Sequence, residues 1–167
     1  MTLDRIDLAI LAELQADASI QNQVLADRVN LSPSACLKRV RRLKDEGAIR
    51  REIALLDPVK VGWPVMVISR VALRSTTREA TLAFERKIRQ LPEVLQCHCV
   101  AGDTDFVLVI CARSLPEYQV FAQQQLGEAL ELKSYSSDIV LSTSKFTTEL
   151  PLGRGIGRAP ASQVGQA

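Results

Sequence analysis

The sequence predicts an α+β chain of two parts, a helical N-terminal part followed by a β-α-β-β-α-β part. Three observations predict this class. Apolar residues of the N-terminal third recur at three- and four-residue spacing, which is typical of amphipathic helices. From Val65 onward, short β-branched runs alternate with helical patterns. Turn-forming residues separate the two parts at Asp57-Pro58 and Gly62-Trp63-Pro64.

Two helices are expected before residue 30. Asp4 is suited to cap the first helix, which should end near Ala16. Asn22 is expected to cap a second helix that runs through Val29. Asn30 tolerates the left-handed conformation that ends a helix, so it is expected to close the second one.

A third helix carries most of the positive charge. Ser32 is expected to cap it, Pro33 to fix its first φ angle and Gly47 to end it. Its apolar stripe consists of Cys36, Val40 and Leu43. At about 100° per residue the opposite face carries Ser34, Lys38, Arg41, Arg42 and Asp45, flanked by Arg39 and Lys44. Such a face on an isolated helix would more often be a solvated basic surface. As the second member of a helix-turn-helix it is typical of a helix that lies in a nucleic-acid groove.

The charge distribution favours the same interpretation. Residues 1–27 contain one basic residue and five acidic ones, whereas residues 28–51 contain eight basic residues and two acidic ones, an excess of six. A local excess of this size is the electrostatic footprint of a polyanion-binding surface. We expect the groove and nearby phosphates to be contacted by Ser32, Ser34, Lys38 and Arg42. Backbone anchoring or intramolecular ion pairing is expected of Arg39, Arg41, Arg50 and Arg51.

The C-terminal part follows from its own patterns. Strands are expected at 65–73, 94–100, 105–112 and 134–146, and helices at 77–91 and 115–130. This order is the ferredoxin-like unit. Residues 106–111 are apolar on both faces of their strand, yet two helices can cover only one face of the sheet. We therefore expect a second copy of the chain to cover the other face as an isologous dimer.

These patterns give a domain organisation. We expect a helix-turn-helix unit at 1–56, a hinge at 57–64 and a ferredoxin-like unit at 65–150, with 49–56 leaving the first unit as a rudimentary wing. Residues 151–167 are rich in Gly, Pro, Ala and Gln without periodicity, so disorder is expected there. The sequence has no apolar run of membrane-span length and no basic-then-apolar leader, so a cytoplasmic location is expected.

No catalytic or metal site is expected. In Cys97-His98-Cys99, the two thiols of a strand share one face and the imidazole points to the other, so core packing is favoured over a tetrahedral metal site. Cys99 could be a redox-sensitive thiol, although no adjacent group activates it. The four cysteines do not indicate a disulfide framework. Neither a phosphate-binding glycine loop nor a nucleophile elbow occurs, and no cofactor is expected.

Three stretches resemble the leucine-responsive regulatory protein (Lrp/AsnC) family: LDRIDLAILAELQADA, LADRVNLSPSACLKRVRRLKDEGAI and CHCVAGDTDFVLVI. The resemblance covers about residues 3–148. It implies a transcription regulator with an N-terminal helix-turn-helix of the winged type and a C-terminal domain that dimerises and senses amino acids. It also implies dimers that often assemble further into tetramers, octamers or rings, and association with the nucleoid.

The resemblance further implies an effector site beside a glycine-aspartate turn. The matching positions are Gly102, Asp103, Thr104 and Asp105 in the turn, Cys99 on the strand that enters it, and Ser137, Asp138 and Val140 on the final strand. Backbone N–H groups of such a turn can bind an α-carboxylate, and a carboxylate such as Asp105 can pair with an α-ammonium. The alternative is a plain hairpin turn, in which Asp is common. Ser142 and Thr143 stand where many relatives carry acidic residues, so contacts there are expected to differ.

The expected function is therefore that of a dimeric or larger DNA-binding regulator whose operator affinity or assembly responds to a small amino acid. Two-fold symmetry predicts a palindromic site with half-sites about one helical turn, or a multiple of it, apart. Two alternatives stay open. One is an architectural DNA-binding protein without an effector. The other is an enzyme resembling the sirohaem decarboxylases, whose architecture is similar but whose tetrapyrrole would require several His and Arg side chains.

Overall fold

The computed structural model describes residues 2–128 and 132–152. They separate into two compact units, one formed by residues 2–54 with 145–152 and the other by Leu55–Ser144. The disorder predicted for the tail falls almost wholly on residues 153–167, which lie outside the described part. No helix in the described ranges combines the length and the apolar character that a membrane crossing needs.

The first unit is built on three helices: α1 (Arg5–Ala16), α2 (Asn22–Arg28) and α3 (Pro33–Asp45). The predicted cap of α1 is confirmed, because the Asp4 carboxylate accepts a hydrogen bond from the Asp7 amide at 2.7 Å. The Asp7 carboxylate in turn accepts one from the Asp4 amide at 3.1 Å. Two amides that lack helical partners are thereby satisfied.

The predicted cap of α2 is wrong. Gln21 occupies the N-cap position and makes no side-chain capping bond. The Asn22 side chain instead donates to the carbonyl oxygen of Pro33 at 2.9 Å. It therefore ties the first turn of α2 to the first turn of α3. Asn30 does have the predicted left-handed conformation, with φ of 54°.

A small apolar core joins the three helices. Its fully buried members come from each helix in turn: Ile10, Leu25, Ala26, Cys36 and Leu43. Val40 packs against them from the predicted stripe of α3. Burial of a side chain of this size stabilises a fold by about 1.5–3 kcal/mol, so the stripe fixes which side of α3 faces outward.

The segment after α3 leaves the helical core. Gly47 ends the helix with φ of +76°, as predicted, and the ion pair Lys44–Glu52 at 2.8 Å holds the chain that follows. Residues 51–57 are exposed and form no regular secondary structure. Residues 145–152 return to this unit, where the Gln15 side chain exchanges hydrogen bonds of 2.8 and 2.9 Å with the backbone of Leu150.

The second unit is an antiparallel sheet with helices on one face. Its strands are β1 (Val65–Leu73), β2 (Val94–Cys99), β3 (Phe106–Ala112) and β4 (Leu132–Ile139). Helix α4 (Arg78–Ile88) follows β1, and α5 (Leu115–Phe121) follows β3 and continues as a π-helix over Ala122–Glu128. The strand order β2-β3-β1-β4 confirms the predicted ferredoxin-like topology.

Two elements differ from prediction near the end of this unit. Strand β4 begins earlier and ends at Ile139 instead of residue 146. Its neighbour in the described sheet is β1, which begins at Val65, and Val140 already bonds to Met66. Beyond this point β1 has no further residue with which β4 can form backbone hydrogen bonds. The helix predicted over 115–130 is α-helical only to Phe121, and residues 129–131 lie outside the described part.

The two faces of the sheet differ. Phe106, Leu108 and Ile110 are buried beneath the helices, and the Phe106 ring lies 4.5 Å from that of Phe84 on α4. Val107 and Val109 face the other way and remain partly exposed within one chain. We call this side the open sheet face; its apolar residues are Met66, Ile68, Ala72, Val107 and Val109.

Candidate nucleic-acid interface and effector turn

The outward side of α3 is polar and exposed, as predicted. It forms a shallow concave surface lined by Ser34, Leu37, Lys38, Arg41, Arg42, Asp45 and Glu46. Ser32 lies at its N-terminal end, where its hydroxyl accepts a hydrogen bond from the Ala35 amide at 3.3 Å. The hydroxyl oxygens of Ser32 and Ser34 are 3.2 Å apart. Ser32 is thus engaged as the helix cap, whereas Ser34 keeps hydrogen-bonding capacity for a ligand.

A buried carboxylate joins α1 to α3. Asp7 is 1 % exposed, and its oxygens accept hydrogen bonds from Arg39 Nη1 at 2.8 Å and Arg42 Nη2 at 2.5 Å. Arg39 Nη1 also lies 2.6 Å from Asp4 Oδ2. We call these four residues the Asp7 cluster. It fixes α3 to α1 across 32 or more residues of sequence.

The Asp7 cluster remains charged near neutral pH. Burial favours the neutral carboxyl of Asp7, but the Asp4 amide and the guanidinium groups of Arg39 and Arg42 outweigh it and lower the pKa of Asp7 below 3.8. The amide of Asp7, with Arg39, also lowers the pKa of Asp4. The two carboxylates raise the pKa of Arg39. The charges are therefore mutually compensated, which is the condition for burying a carboxylate.

The cluster divides the predicted DNA-binding cations into two groups. Arg39 and Arg42 are ion-paired within the chain. In the described ranges no ion pair is formed by Lys38, Arg41, Arg50 or Arg51. The expected ion pairing is thus found for Arg39 and not for the other three anchors. Arg42, which was expected to contact the groove or nearby phosphates, is paired with Asp7 and keeps 42 % of its side chain exposed.

Sequence reasoning missed the role of Asp7. From the sequence, Asp7 indicates only a negative charge that the dipole of α1 favours in its first turn. A signal was present, because Asp7 lies three residues before Ile10 and seven before Leu14, on the apolar side of the helix. An acidic residue at such a position requires a buried partner, although sequence alone does not say which one.

The turn between β2 and β3 is exposed and braced at both ends. Val100 donates its amide hydrogen to the Asp105 carbonyl at 3.0 Å, and Asp105 donates to the Val71 carbonyl at 2.9 Å. Between them the amides of residues 101–104 donate to no acceptor within the described chain. Successive unpaired amides of this kind can bind a carboxylate.

The two carboxylates of the turn have different surroundings. Asp105 is partly buried, and its Oδ2 accepts the Leu73 amide hydrogen at 2.7 Å. It therefore holds the turn against β1. Asp103 is exposed and has no such partner in the described chain. Asp103 is thus the more available carboxylate for a ligand, which the sequence did not distinguish.

The predicted effector residues of β4 lie away from this turn within one chain. Ser137 faces the helices, where its hydroxyl accepts a hydrogen bond from Tyr118 at 2.5 Å. Asp138 pairs with Arg70 on the open sheet face, and Val140 lies opposite the start of β1. The turn bonds to Val71 and Leu73 from the β3 side of β1, whereas these residues lie along the other side of that strand, from Ser69 towards Met66. One copy of the chain does not bring the two groups together.

Strand β2 places its cysteines and histidine on the predicted faces. The expected core packing is found only for the partly buried Cys97, because His98 and Cys99 are exposed. Cys97 and Cys99 are opposite Leu108 and Phe106 on the helix side, and His98 is opposite Val107 on the open sheet face. Burial raises the pKa of the Cys97 thiol to about 11, so it is a poor nucleophile. Cys99 borders a cleft of about 320 Å³ between β2 and α4. The described residues contain no group of three potential metal ligands.

Comparison with known proteins agrees with this architecture. Residues 3–50 match a winged helix-turn-helix DNA-binding domain, and residues 66–150 match the Lrp/AsnC ligand binding domain. The chain is 35 % identical to the transcriptional regulator AzlB of Bacillus subtilis over 150 residues, covering 90 % of this chain and 96 % of AzlB. It is 38 % identical to the leucine-responsive regulatory protein of Escherichia coli over 128 residues, covering 77 % and 76 %.

A solved structure is similar over nearly the whole described chain. It is a transcriptional regulator of Neisseria meningitidis in complex with L-Met, with a TM-score of 0.86 and 36 % identity, covering 91 % of this chain and 98 % of that one. Fold and site thus define a DNA-binding transcriptional regulator with a separate ligand-binding domain. The chain belongs to the Lrp/AsnC family, as its sequence predicted.

Proposed function

We propose that this regulator binds duplex DNA through the outward side of α3 and that an amino acid at the 100–105 turn modulates the binding. The observation that carries the proposal is the pairing pattern on α3. Its inner side is fixed in a buried core, while Lys38 and Arg41 remain exposed and unpaired within the described chain. Exposed cations on a rigid helix can approach phosphates without breaking contacts of the fold.

The DNA-facing residues take different parts. Ser34, Lys38 and Arg41 contact base edges and the flanking phosphates. Arg42 keeps N–H groups beyond the one that binds Asp7 and acts as a phosphate anchor of fixed orientation. Ser32 and Arg39 position the helix, through its cap and through the Asp7 cluster, and Arg50 contacts the backbone further along the duplex.

Two copies pair through the open sheet face. Its apolar centre is partly exposed in one chain and is bordered by polar residues, including Gln96, His98 and Asp138. A two-fold axis through this face relates two α3 helices and requires a palindromic site. Further association into tetramers or octamers would bring the predicted β4 residues Ser137, Asp138 and Val140 of one copy near the turn of another.

The effector is a small amino acid. The unpaired amides of residues 101–104 suit an α-carboxylate, and the exposed carboxylate of Asp103 suits an α-ammonium. Cys99 and Thr104 lie beside them, Gly102 lies within the turn, and Asp105 braces it. The L-Met complex of the Neisseria meningitidis relative supports an amino acid as the ligand class.

The remaining assignments follow from this function. We assign no catalytic activity to the chain, whose one histidine bonds to Gln96 on the open sheet face. A regulator of this kind acts in the cytoplasm on the nucleoid. We assign residues 1–56 to DNA binding, residues 57–64 to the hinge and residues 65–150 to effector binding and assembly.

The effector site is tested with the pair Asp103→Asn and Asp105→Asn. Thermal shifts against the twenty amino acids identify a ligand, and fluorescence anisotropy with labelled duplex measures its effect on DNA affinity. Coupling of about 1–3 kcal/mol changes that affinity by roughly 5- to 150-fold. Asp103→Asn is expected to abolish the response while keeping basal DNA binding and the melting temperature.

The second variant is the matched control. Asp105→Asn is expected to weaken the ligand response and, unlike Asp103→Asn, also to lower the melting temperature. The reason is that it weakens the hydrogen bond between the Asp105 carboxylate and the Leu73 amide. A normal ligand response in Asp103→Asn removes that residue from the site. A wild-type protein that binds duplexes of any sequence equally and ignores all amino acids is an architectural protein instead, and one that stays monomeric contradicts the pairing of open faces.

A further inference from the structure

The exposed side of α3 contains an apolar residue that the sequence patterns leave unexplained. Leu37 is 39 % exposed and is absent from the core that the three helices form. It lines the concave surface together with Ser34, Lys38 and Arg41. At about 100° per residue these four positions fall within a sector of roughly 100°, on one side of the helix. Leu37 is thus an apolar side chain surrounded by the groups that we assign to DNA.

Helix position favours contact with bases. Leu37 is the fifth of the 13 residues of α3, and the N-terminal part of a recognition helix approaches base edges. Basic neighbours hold the phosphates on either side, so the side chain between them faces the floor of the groove. In the major groove each base pair presents hydrogen-bonding groups, and the apolar feature among them is the 5-methyl group of thymine.

We propose that Leu37 is a specificity-determining residue that packs against the 5-methyl group of a thymine in the major groove. The inference rests on the proposed docking of α3 in DNA and adds the base that this helix selects. Leu37 provides no hydrogen bond, so it distinguishes thymine from the other bases by contact of methyl groups alone. Removal of that thymine methyl group should therefore lower the affinity for DNA only when Leu37 is present.

The test uses the full-length chain and a duplex enriched from a randomised library at low salt. Each thymine of that duplex is replaced singly by deoxyuridine, which deletes the 5-methyl group and leaves every hydrogen-bonding group in place. Affinities are measured for the wild type and for Leu37→Ala. The wild type is expected to lose about fourfold at one thymine of each half-site, the value of one buried methyl-sized group. Leu37→Ala should bind thymine and uracil equally at that position.

Val24→Ala provides the matched control. Val24 is 41 % exposed on α2 of the same unit and does not line the concave surface. This variant should keep the wild-type discrimination, and unchanged melting temperatures of both variants show that neither perturbs the fold. The inference is overturned if no thymine shows the effect in the wild type, or if Leu37→Ala retains it. A library that yields no bound duplex instead overturns the proposed DNA binding itself.

Discussion

Among the described residues two polar side chains are almost completely buried, and each unit contains one of them. Asp7 in the first unit is 1 % exposed and Ser69 in the second is 0 % exposed. Asp7 is ionised and bonded to two arginines of α3. The Ser69 hydroxyl lies 3.1 Å from that of Tyr118 and 3.0 Å from that of Ser137, in a neutral cluster beneath α5.

The difference shows how two units of one chain satisfy the same requirement. A buried hydroxyl needs only neutral partners, which the neighbouring strand and helix supply at modest cost. A buried carboxylate needs positive charge, and the two cations that bond to Asp7 belong to α3, the helix that we propose contacts DNA. Under the proposed DNA binding, the same arginines would serve both stability and recognition in the first unit, whereas the polar cluster of the second unit involves no charge.

The largest expected effect is that of Asp7→Ala. It removes two charge-assisted hydrogen bonds and half of the α1 capping box. It leaves Arg42 without its carboxylate partner and Arg39 with Asp4 alone. Because both arginines are partly exposed they can be rehydrated, so we expect a loss of roughly 2–3 kcal/mol, below the 3–5 typical of fully buried pairs. Hydrogen exchange of the amides in α1 and α3 measures it.

Asp27→Ala provides the control, since Asp27 is exposed on α2 of the same unit. It is expected to change the free energy of unfolding by less than about 0.5 kcal/mol. Equal effects of the two variants would contradict a special role for Asp7.

Acidification should reveal the same charge. The pKa of Asp7 is lowered in the native state, so its ionised form contributes stability that is present above the unfolded value of 3.8. That contribution is lost as the pH falls from 3.8 through the lower native pKa. The difference in stability between the wild type and Asp7→Asn should therefore be constant above about pH 5 and shrink below it. Urea unfolding followed by circular dichroism at several pH values tests this. A stability difference that grows on acidification would contradict a lowered native pKa of Asp7.

A smaller effect is expected from Ser69→Ala. The bond between Tyr118 and Ser137 at 2.5 Å remains, so neither partner is left unsatisfied and the loss should be about 1 kcal/mol. Trp63, the single tryptophan of the chain, lies in the second unit, where the guanidinium carbon of Arg113 lies over its ring, 5.1 Å from the ring centroid. Its fluorescence in a urea titration reports this unit. The loss of unfolding free energy in Ser69→Ala should not depend on pH between 4 and 7, because no charge is removed. A strong dependence on pH would contradict the proposed difference between Ser69 and Asp7.

The smallest effect separates two neighbouring arginines in DNA binding. Arg41 is unpaired within the described chain. Arg41→Ala should therefore make the negative slope of log affinity against log salt shallower by about 0.9, the value for one lost phosphate contact. Arg42 is already partly neutralised by Asp7, so Arg42→Ala should change the slope by less. Anisotropy titrations at several salt concentrations measure both slopes. Equal slopes would show that pairing with Asp7 does not reduce the contribution of Arg42.

The local elements were largely predictable. Capping residues at Asp4, Ser32 and Gly47, and the period change at Val65, are recorded in neighbouring residues, and the structure has them where they were expected. The strand pattern also led to the ferredoxin-like topology. Errors arose where an element depends on a distant partner. Asn22 bonds to Pro33 instead of capping α2, and β4 ends where β1 no longer offers a partner.

The candidate sites show the same division. The amino-acid sequence by itself determined the family, the two units and the side of α3 that faces outward, because periodicity and capping act over a few residues. Only the tertiary structure decided that Arg42 is paired within the described chain whereas Arg41 is not. It also decided that the Asp105 carboxylate is bonded to the Leu73 amide whereas that of Asp103 is exposed. The physical reason is that a charge or a hydrogen-bonding group is satisfied by whatever the fold brings within about 3 Å, which spacing along the chain does not specify.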